Sequence, residues 1–321
     1  MKHFVVLLLL FPALLRAGEL LRLEDSTDAM GTTYTVILYG EDEQQLQETA
    51  EAAFSEVRRL DRMLSNYRPQ SEWRQMNLNA PKGPVKVSQE LFDLLQACVS
   101  YNVRSKGTFD IGVGPLMRVW GFYKGTGRLP MKAEIAAVLP AVGSKNIELD
   151  PKTRTVRFLR RGVELDPGGI GKGYAVDHMV ATIKEHNITS ALVSAGGSTI
   201  YGLGTPPGDE GWKVKIRNPR KWTETIQDVY LKDRSMSTSG DYEKFFEAEG
   251  KIYSHIMDPR TGYPAPGMLS VSVVAPKAID SEAWTKPFFI LGRDWTAKHK
   301  PQGLRVYMCE DRSDLACVWL Q

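Results

Sequence analysis

A glycine-rich segment at residues 164–177 constrains the fold of this 321-residue chain more than any other feature. The segment reads ELDPGGIGKGYAVD, and we expect a strand that ends at Asp166, a tight turn over the glycines and a helix with Lys172 in its first turn. Free backbone amides at a helix start, together with a lysine, form a favourable seat for phosphate. The spacing matches neither a Walker A loop nor the usual dinucleotide fingerprint. Taken alone, the glycines also fit a tight turn without any ligand.

Predicted helices and strands alternate irregularly along the chain, which favours the α+β class. Apolar residues at three- and four-residue steps predict a helix over 46–64, Ser88 is placed to cap a second helix that ends near Gly107, and a third helix follows over 171–185. β-Branched and aromatic residues predict strands at 33–39, 155–158, 191–194, 212–216, 269–275 and 304–308. The regular βαβ period of a doubly wound sheet is missing, and no linker or internal repeat divides the chain. We therefore expect a single domain over residues 19–321.

The first eighteen residues differ from the rest of the chain. Lys2 precedes an almost continuous apolar run at 4–15, and small residues follow at 17 and 18. The run is too short to span a bilayer comfortably, so it predicts a cleavable signal peptide over residues 1–18, with a buried N-terminal helix as the alternative. No cysteine follows the run, so no lipoprotein anchor is predicted. We expect an exported, periplasmic protein, either free or peripherally attached to the inner membrane.

The charge and the cysteines narrow the function classes. The formal net charge of +3 falls to +1 when Lys2 and Arg16 are removed with the signal peptide, which argues against a nucleic-acid binder. Export permits disulfides, and Cys309 and Cys317 flank a polar turn between two predicted strands. Facing positions of a hairpin can be bridged, although two buried thiols fit the sequence as well. Cys98 lies on the apolar face of a predicted helix and is expected in the core.

A histidine precedes a turn signal at residues 254–262, which read SHIMDPRTG. The segment predicts a turn that closes a hairpin. His255 is able to accept a proton near neutral pH, although a lone histidine at such a turn is more often structural.

Three further segments carry hydroxyl or carboxylate groups. Residues 280–286 read DSEAWTK and predict a helix start that Asp280 or Ser281 caps; their oxygens also suit a hard cation such as magnesium. Residues 238–242 (TSGDY) are predicted on a turn, and residues 195–198 (AGGS) at a strand end. No cysteine and histidine spacing indicates zinc, and no serine-hydrolase elbow is present.

In this order, these segments resemble the ApbE family of FAD:protein FMN transferases. The resemblance runs from residue 30 to about residue 292 and includes MGTTY at 30–34, LSNYR at 64–68, GTFDI at 107–111 and WGF at 120–122. Each motif is weak alone, and their common order makes the match specific. The resemblance implies a single α+β catalytic domain of two lobes with FAD in the cleft between them.

The resemblance also implies the site residues. It implies flavin contacts from Met30, Tyr67, Thr108, Phe109, Asp110, Asp166, Lys172 and Ile256. It further implies a magnesium ion, with manganese as an alternative, held by the backbone oxygen of Gly169 and by Glu282. The family pattern Asp-Ala-x-x-Thr reads EAWTK here. Lys286 has no lone pair to donate. Thr285 comes one position early, about 100° round the helix, so it replaces the family hydroxyl only if the backbone shifts.

The implied reaction moves FMN from FAD to a threonine or serine hydroxyl of an acceptor protein by magnesium-assisted phosphoryl transfer, with release of AMP. The acceptor would be a subunit of a membrane electron-transfer complex. Lys172 and the 168–171 amides would orient the phosphates, Glu282 would hold the metal, and His255 or a nearby carboxylate would take the hydroxyl proton. Two alternatives use the same site: a metal-dependent FAD pyrophosphatase, and a non-catalytic periplasmic flavin-binding protein.

Overall fold

The computed structural model describes residues 20–320, so the predicted signal peptide at 1–18 lies outside the described residues. Within this range every helix is too short or too polar to cross a bilayer. The helices and strands, in chain order, are β1 (Leu21–Ala29), β2 (Thr32–Gly40), α1 (Glu43–Leu64), α2 (Glu72–Asn79), β3 (Val85–Lys86), α3 (Gln89–Arg104), α4 (Gly114–Val119), α5 (Lys132–Val138), β4 (Ile147–Asp150), β5 (Thr155–Phe158), α6 (Gly171–Glu185), β6 (Ser190–Ala195), β7 (Thr199–Leu203), β8 (Trp212–Asn218), β9 (Lys221–Leu231), β10 (Arg234–Gly240), β11 (Phe245–Ala248), β12 (Lys251–Ser254), β13 (Met257–Asp258), β14 (Tyr263–Pro264), β15 (Met268–Ala275), α7 (Ala278–His299), β16 (Arg305–Glu310) and β17 (Ala316–Leu320).

An eight-stranded sheet with the order β1-β2-β6-β7-β10-β15-β16-β17 forms the centre of the fold. Every adjacent pair in it is antiparallel. This antiparallel sheet with separate helices confirms the α+β class. Strand β2 illustrates the two-residue period: Val36 and Leu38 pack with α1 and α6 on one face, while Ile37 and Tyr39 pack with the β8–β9 hairpin on the other.

A second apolar cluster lies beneath the glycine-rich segment. It joins side chains of α2, α3, β15 and α7, and Leu165 and Ile170 enter it from the glycine-rich segment itself. Trp73 is fully buried there, and its indole nitrogen donates to the carbonyl oxygen of Leu165 at 3.0 Å. The core therefore holds the glycine-rich segment from below, which leaves its glycines to face the site.

Most predicted elements agree with the structure, and β5 and α6 match their predicted ranges. The strand predicted to end at Asp166 is not formed. The chain is extended there, but its backbone hydrogen bonds go to a side chain and not to a neighbouring strand. The Asn77 side chain accepts from the Leu165 amide and donates to the Leu165 carbonyl, both at 2.9 Å. The predicted turn at 238–242 is also partly wrong, because Thr238 to Gly240 complete β10.

The predicted cap of the helix at 280–286 is wrong. Helix α7 begins at Ala278, and its first amides are bound from another helix: Asp177 of α6 accepts from the amides of Ala278 at 2.7 Å and Ile279 at 2.9 Å. Asp280 instead accepts a hydrogen bond from the Tyr101 hydroxyl. A cap supplied from 101 residues earlier has no local sequence signal.

The cysteine pair is bridged. Cys309 and Cys317 face each other across β16 and β17, with Cα atoms 4.1 Å apart, and form a disulfide. This resolves the two alternatives left by the sequence in favour of the bridge. Cys98 is a buried free thiol, as predicted.

Candidate active site

The glycine-rich segment forms a short 3₁₀ turn, Pro167–Gly169, that leads directly into α6. Asp166 closes the turn by accepting from the Gly168 amide at 2.6 Å. The Gly173 amide donates to Glu282 at 2.5 Å. Within residues 20–320 the amides of Gly171 and Lys172 form no hydrogen bond. Two free amides at the start of a fifteen-residue helix are suited to bind an anion.

Helix α7 crosses α6 at Gly173. A β-carbon on Gly173 would lie 2.4 Å from the carbonyl oxygen of Ala278 and 3.0 Å from the β-carbon of Glu282. Only glycine permits this approach, because the obstacle is backbone. The close crossing carries Glu282 to the first turn of α6.

Serine hydroxyls fix the position of α7 along the sheet. Ser235 and Ser237 on β10 lie 2.8 and 2.7 Å from the Ser281 hydroxyl. Ser239, the next residue on the same face of β10, donates to the Thr285 hydroxyl at 2.8 Å. These groups are buried and all are hydrogen-bonded, so they hold the helix in a single register.

Glu282 is only 2% exposed, and its two carboxylate oxygens have different surroundings. Oε2 accepts from the Gly173 amide, whereas Oε1 has no hydrogen-bond partner within residues 20–320. The nearest positive charge is the ammonium of Lys286, 3.9 Å from Oε1. A buried, unpaired carboxylate oxygen is costly, and it points to a ligand or cation at this place.

Lys286 bends back toward its own helix. Its Nζ donates to the carbonyl oxygen of Glu282 at 3.0 Å, and its Cε lies 3.8 Å from the place that a β-carbon on Gly169 would occupy. Burial lowers the pKa of Lys286 to about 8; the Glu282 carboxylate opposes this shift, and the Lys172 ammonium adds to it. The lysine side chain therefore lies close to both Gly169 and Glu282.

Lys172 brings a second ammonium group to the site. It extends from the first turn of α6 to the Ser198 hydroxyl, with which it forms a hydrogen bond. Ser198 lies in the turn between β6 and β7, where Gly196 and Gly197 have positive φ angles of 58° and 70°. The glycine pair predicted at a strand end thus positions a partner for Lys172.

His255 stands at the edge of the site as a neutral base. Its Nδ1 lies 3.1 Å from the carbonyl oxygen of Lys244. A carbonyl only accepts, so we assign the proton to Nδ1, which leaves Nε2 as an acceptor. Burial lowers the pKa of His255 to about 4, and the charges of Lys244, Lys286 and Lys172 add to the shift. The His255 side chain is only partly buried, so one edge of the ring is accessible although many protein atoms surround it.

Three of the expected flavin residues line the glycine-rich segment. The Met30 methyl group is 3.0 Å from the β-carbon position of Gly171, and the Phe109 ring is 3.6 Å from that of Gly169. Ile256 is buried in the same apolar cluster as Phe109. Apolar side chains thus meet at the phosphate seat.

Tyr67 and Asp166 lie close to each other at the start of the segment. Tyr67 is 74% exposed and lines an open cleft of about 390 Å³ together with Asn66, Arg118 and Tyr123. The Asn66 amide lies 3.5 Å from the Asp166 carboxylate, and burial raises the pKa of Asp166. An exposed aromatic ring beside an open cleft is available for stacking on a planar ligand.

Thr108 and Asp110 make their side-chain hydrogen bonds inside the protein. Asp110 accepts from the Ser144 amide and hydroxyl at 2.8 and 2.9 Å, from the Gly112 amide and from Asn102. The Thr108 hydroxyl donates to a backbone carbonyl. In the same loop the Ile111 carbonyl accepts a hydrogen bond from the Asp166 amide, so the loop helps to position Asp166.

The residues present do not fit the magnesium ion implied by the resemblance. Thr285 is fully buried, and its hydroxyl already donates to the Glu282 carbonyl at 2.7 Å and accepts from Ser239. The Lys286 ammonium has no lone pair to give a cation, and it lies 3.9 Å from the Glu282 carboxylate that was expected to bind one. Of the three predicted ligands, the Glu282 carboxylate and the Gly169 carbonyl remain. A hard divalent cation takes about six or more oxygen ligands, so these two protein groups are too few.

A second acidic group, Glu56, Glu90 and His178, is close enough to hold a metal ion. Arg59, however, lies 2.7 Å from a carboxylate oxygen of each glutamate. This group is therefore an ion-pair network that joins α1, α3 and α6.

Sequence reasoning missed the positioning roles of Gly173, Asp177 and Ser239, and it missed Ser235 and Ser237 altogether. Gly173 had a signal, since it belongs to the glycine-rich segment, but its role depends on a helix that crosses a hundred residues later. The serines alternate along β10, a pattern typical of a strand with one polar face, which was available from the sequence.

Comparisons with known proteins show the family to which the chain belongs. A model of the ApbE family matches residues 30–308. The FAD:protein FMN transferase of Escherichia coli (strain K12) is 30% identical over 322 residues, which cover 96% of this chain and 89% of that protein. That of Treponema pallidum (strain Nichols) is 32% identical over 257 residues, covering 75% and 71%.

Solved structures show the same fold. The ApbE protein of Thermotoga maritima superposes with a TM-score of 0.85 at 30% identity and covers 93% of this chain and 96% of its own. The flavin transferase ApbE of Vibrio cholerae superposes with a TM-score of 0.81 at 22% identity, covering 94% and 97%.

Proposed function

This chain belongs to the ApbE family, and we propose that it transfers FMN from FAD to a threonine or serine hydroxyl of an acceptor protein and releases AMP. It is an enzyme of the FAD:protein FMN transferase type. FAD is its substrate, and a protein is its acceptor.

One observation carries the chemical part of the proposal. The Lys286 side chain comes within 3.8 Å of the β-carbon position of Gly169, and the Lys172 ammonium is close enough to lower the pKa of Lys286, so two ammonium groups lie beside the turn that ends in the free amides of Gly171 and Lys172. Phosphoryl transfer is accelerated chiefly by positioning and by positive charge at the phosphates. The site supplies both next to the place where a pyrophosphate would lie.

The bonds that change are those of a single displacement. The acceptor hydroxyl oxygen attacks the FMN-side phosphorus, the bond from this phosphorus to the bridging oxygen breaks, and AMP leaves with that oxygen. The hydroxyl proton passes to Nε2 of His255 or to a nearby carboxylate, for which Glu243 is suited because burial raises its pKa.

Flavin binding is assigned to the surfaces on both sides of the turn. Met30, Phe109 and Ile256 offer apolar contacts, Tyr67 offers an exposed ring, and Asp166 offers hydrogen-bond acceptors. The hydrogen bonds of Thr108 and Asp110 favour an indirect role in flavin binding, in which these residues hold the loop that positions Asp166. The cleft between two lobes remains a prediction of the resemblance.

No step of the proposed transfer uses magnesium or manganese. The resemblance predicts such an ion at Gly169, Glu282 and Thr285, but the Thr285 hydroxyl is engaged and the Lys286 ammonium lies 3.9 Å from the Glu282 carboxylate. The positive charge is instead assigned to the lysines.

We also propose that the protein is exported to the periplasm and modifies a subunit of a membrane electron-transfer complex. The apolar run at 4–15 and the Cys309–Cys317 disulfide support export, since disulfides persist in oxidising compartments. Fractionation of cells, with N-terminal sequencing, tests this. A periplasmic chain that starts near residue 19 is expected, and an intact chain in the cytoplasm would contradict export.

The transfer itself is tested by incubating the mature protein with FAD and a purified candidate acceptor subunit. A matched acceptor with valine in place of the target threonine serves as control. Added FMN mass on the intact acceptor only, with an equal amount of AMP, supports the proposal. AMP without acceptor mass indicates a pyrophosphatase, and bound FAD with neither product indicates a carrier.

A further inference from the structure

Lys286 brings a positive charge next to Glu282, a residue that the resemblance predicts to bind a metal ion. Resting on the proposed function, we propose that the ammonium group of Lys286 supplies, on a tether, the positive charge that a divalent metal ion would otherwise supply to the FAD pyrophosphate. The chain would then transfer FMN without a bound metal.

Lys286 lies close to both residues that the resemblance predicts to hold the ion. The Lys286 Nζ lies 3.9 Å from Glu282 Oε1 and 3.0 Å from the Glu282 carbonyl oxygen. Its Cε is 3.8 Å from the β-carbon position of Gly169. Gly169 and Glu282 are the two groups between which the resemblance predicts the ion. The Lys286 side chain therefore lies beside both residues that were predicted to hold the ion.

The second support is competition. An ion bound to Glu282 Oε1 would have to lie within about 2.6 Å of that oxygen. Such an ion would lie at most about 6.5 Å from the Lys286 ammonium, which is 3.9 Å from the same oxygen, and the two like charges would repel each other in a partly buried place. The Lys286 ammonium and a divalent ion therefore compete for the Glu282 carboxylate.

The third support is the lack of a replacement ligand. Thr285 is the hydroxyl that the sequence offers as a replacement for the family ligand, and Pro287 could have shifted the helix to bring it there. The Thr285 hydroxyl nevertheless donates to the carbonyl of Glu282, three residues earlier, as in an ordinary helix, and accepts from Ser239. The helix has not rotated to present Thr285.

The fourth support is the state of Glu282. Its Oε1 is buried and has no hydrogen-bond partner within residues 20–320. A carboxylate in this state retains a cation beside it, and the lysine that follows four residues later is that cation. Glu282 thus changes from a metal ligand into the counter-charge that keeps Lys286 in place.

The bonds formed and broken are unchanged by this substitution. Lys286 and Lys172 together balance the negative charge on the pyrophosphate as AMP departs, and neither lysine gives up a proton in the step. The lysine acts only through its charge and position.

The test compares three proteins: wild type, Lys286→Thr, which restores the family hydroxyl, and Lys298→Thr, which removes an exposed lysine of the same helix. Mn²⁺ binding to each FAD-loaded protein is measured by electron paramagnetic resonance. Transfer to the acceptor is measured with EDTA and with Mg²⁺. Circular dichroism verifies that each variant is folded.

We expect wild type and Lys298→Thr to transfer FMN at rates that EDTA changes by less than about twofold. We expect Lys286→Thr to bind one more Mn²⁺ per chain than wild type, and its transfer to fall about tenfold or more in EDTA and to recover with Mg²⁺. Equal Mn²⁺ binding by wild type and Lys286→Thr would overturn the inference, as would wild-type transfer that EDTA abolishes and Mg²⁺ restores. The wild-type arm does not depend on how the variant folds. If no protein transfers FMN under any condition, the proposed function fails, while the Mn²⁺ comparison still decides the inference.

Discussion

The Glu282 carboxylate of α7 accepts a hydrogen bond from the Gly173 backbone amide of α6 at 2.5 Å. This contact joins the helix that begins the phosphate seat to the helix that carries Lys286. It is made possible by the absence of a side chain on Gly173, and it is supported at the start of α7 by Asp177.

Removing the Glu282 acceptor should cost stability. In Glu282→Ala the buried Gly173 amide loses its partner, which should lower the free energy of unfolding by about 1–3 kcal/mol. Glu282→Gln keeps an oxygen within reach of the amide and should lose less. Denaturant unfolding of the two variants measures the difference, and an alanine variant as stable as wild type would contradict the role given to this hydrogen bond.

The helix crossing makes a prediction about two glycines. Gly173→Ala would place a methyl group 2.4 Å from the Ala278 carbonyl oxygen and should destabilise the protein by about 1–3 kcal/mol or more, because backbone must move. Gly171→Ala is the matched control, since its methyl group meets the flexible end of Met30 at 3.0 Å and Pro167 only at an ordinary contact distance of 3.9 Å. Thermal unfolding should rank Gly173→Ala well below Gly171→Ala; the opposite order would disprove the packing argument.

The assignment of His255 predicts the pH dependence of transfer. The pKa of His255 is lowered to about 4, so the neutral, proton-accepting form persists above that pH and is lost as the pH falls through it. The acid limb of kcat/KM should therefore lie near pH 4, below the range of an ordinary histidine.

The variant His255→Asn should lose that limb and reduce kcat/KM by about a hundredfold or more, with FAD affinity changed by only about threefold. Stopped-flow transfer and FAD titration measure these quantities. An asparagine variant with wild-type kcat/KM would move the base to a nearby carboxylate such as Glu243.

The disulfide should stabilise the C-terminal hairpin. The Cys309→Ser, Cys317→Ser double variant should unfold with a free energy about 2–3 kcal/mol lower than that of wild type, because the unfolded chain is no longer closed into a loop. Reduction by dithiothreitol should lower the wild-type midpoint to that of the double variant and leave the double variant unchanged. A wild-type midpoint insensitive to reduction would show that the bridge adds no stability.

Local patterns allowed much of the fold to be predicted. The ends of α6 and β5 were placed where the structure has them. Strand β1 was missed because it is an edge strand whose residues, from Leu21 to Asp28, are mostly exposed and carry no apolar alternation. Pairing with β2, and not composition, makes it a strand.

The site could be predicted only in part, because its geometry depends on contacts between distant segments. The sequence identified the glycine-rich turn, Lys172, Glu282 and the unusual Lys286 from local pattern and resemblance. The cap from Asp177 and the serines that fix α7 come from elements far away in the chain. The direction of the Lys286 side chain, toward Gly169, required the fold.

The most direct test of the central claim is the mass of an intact acceptor protein after incubation with this protein and FAD, with AMP quantified in the same reaction. The account predicts an acceptor that gains the mass of one FMN moiety, and one AMP released for each acceptor modified. An acceptor of unchanged mass, with AMP released or with FAD left intact, would contradict it.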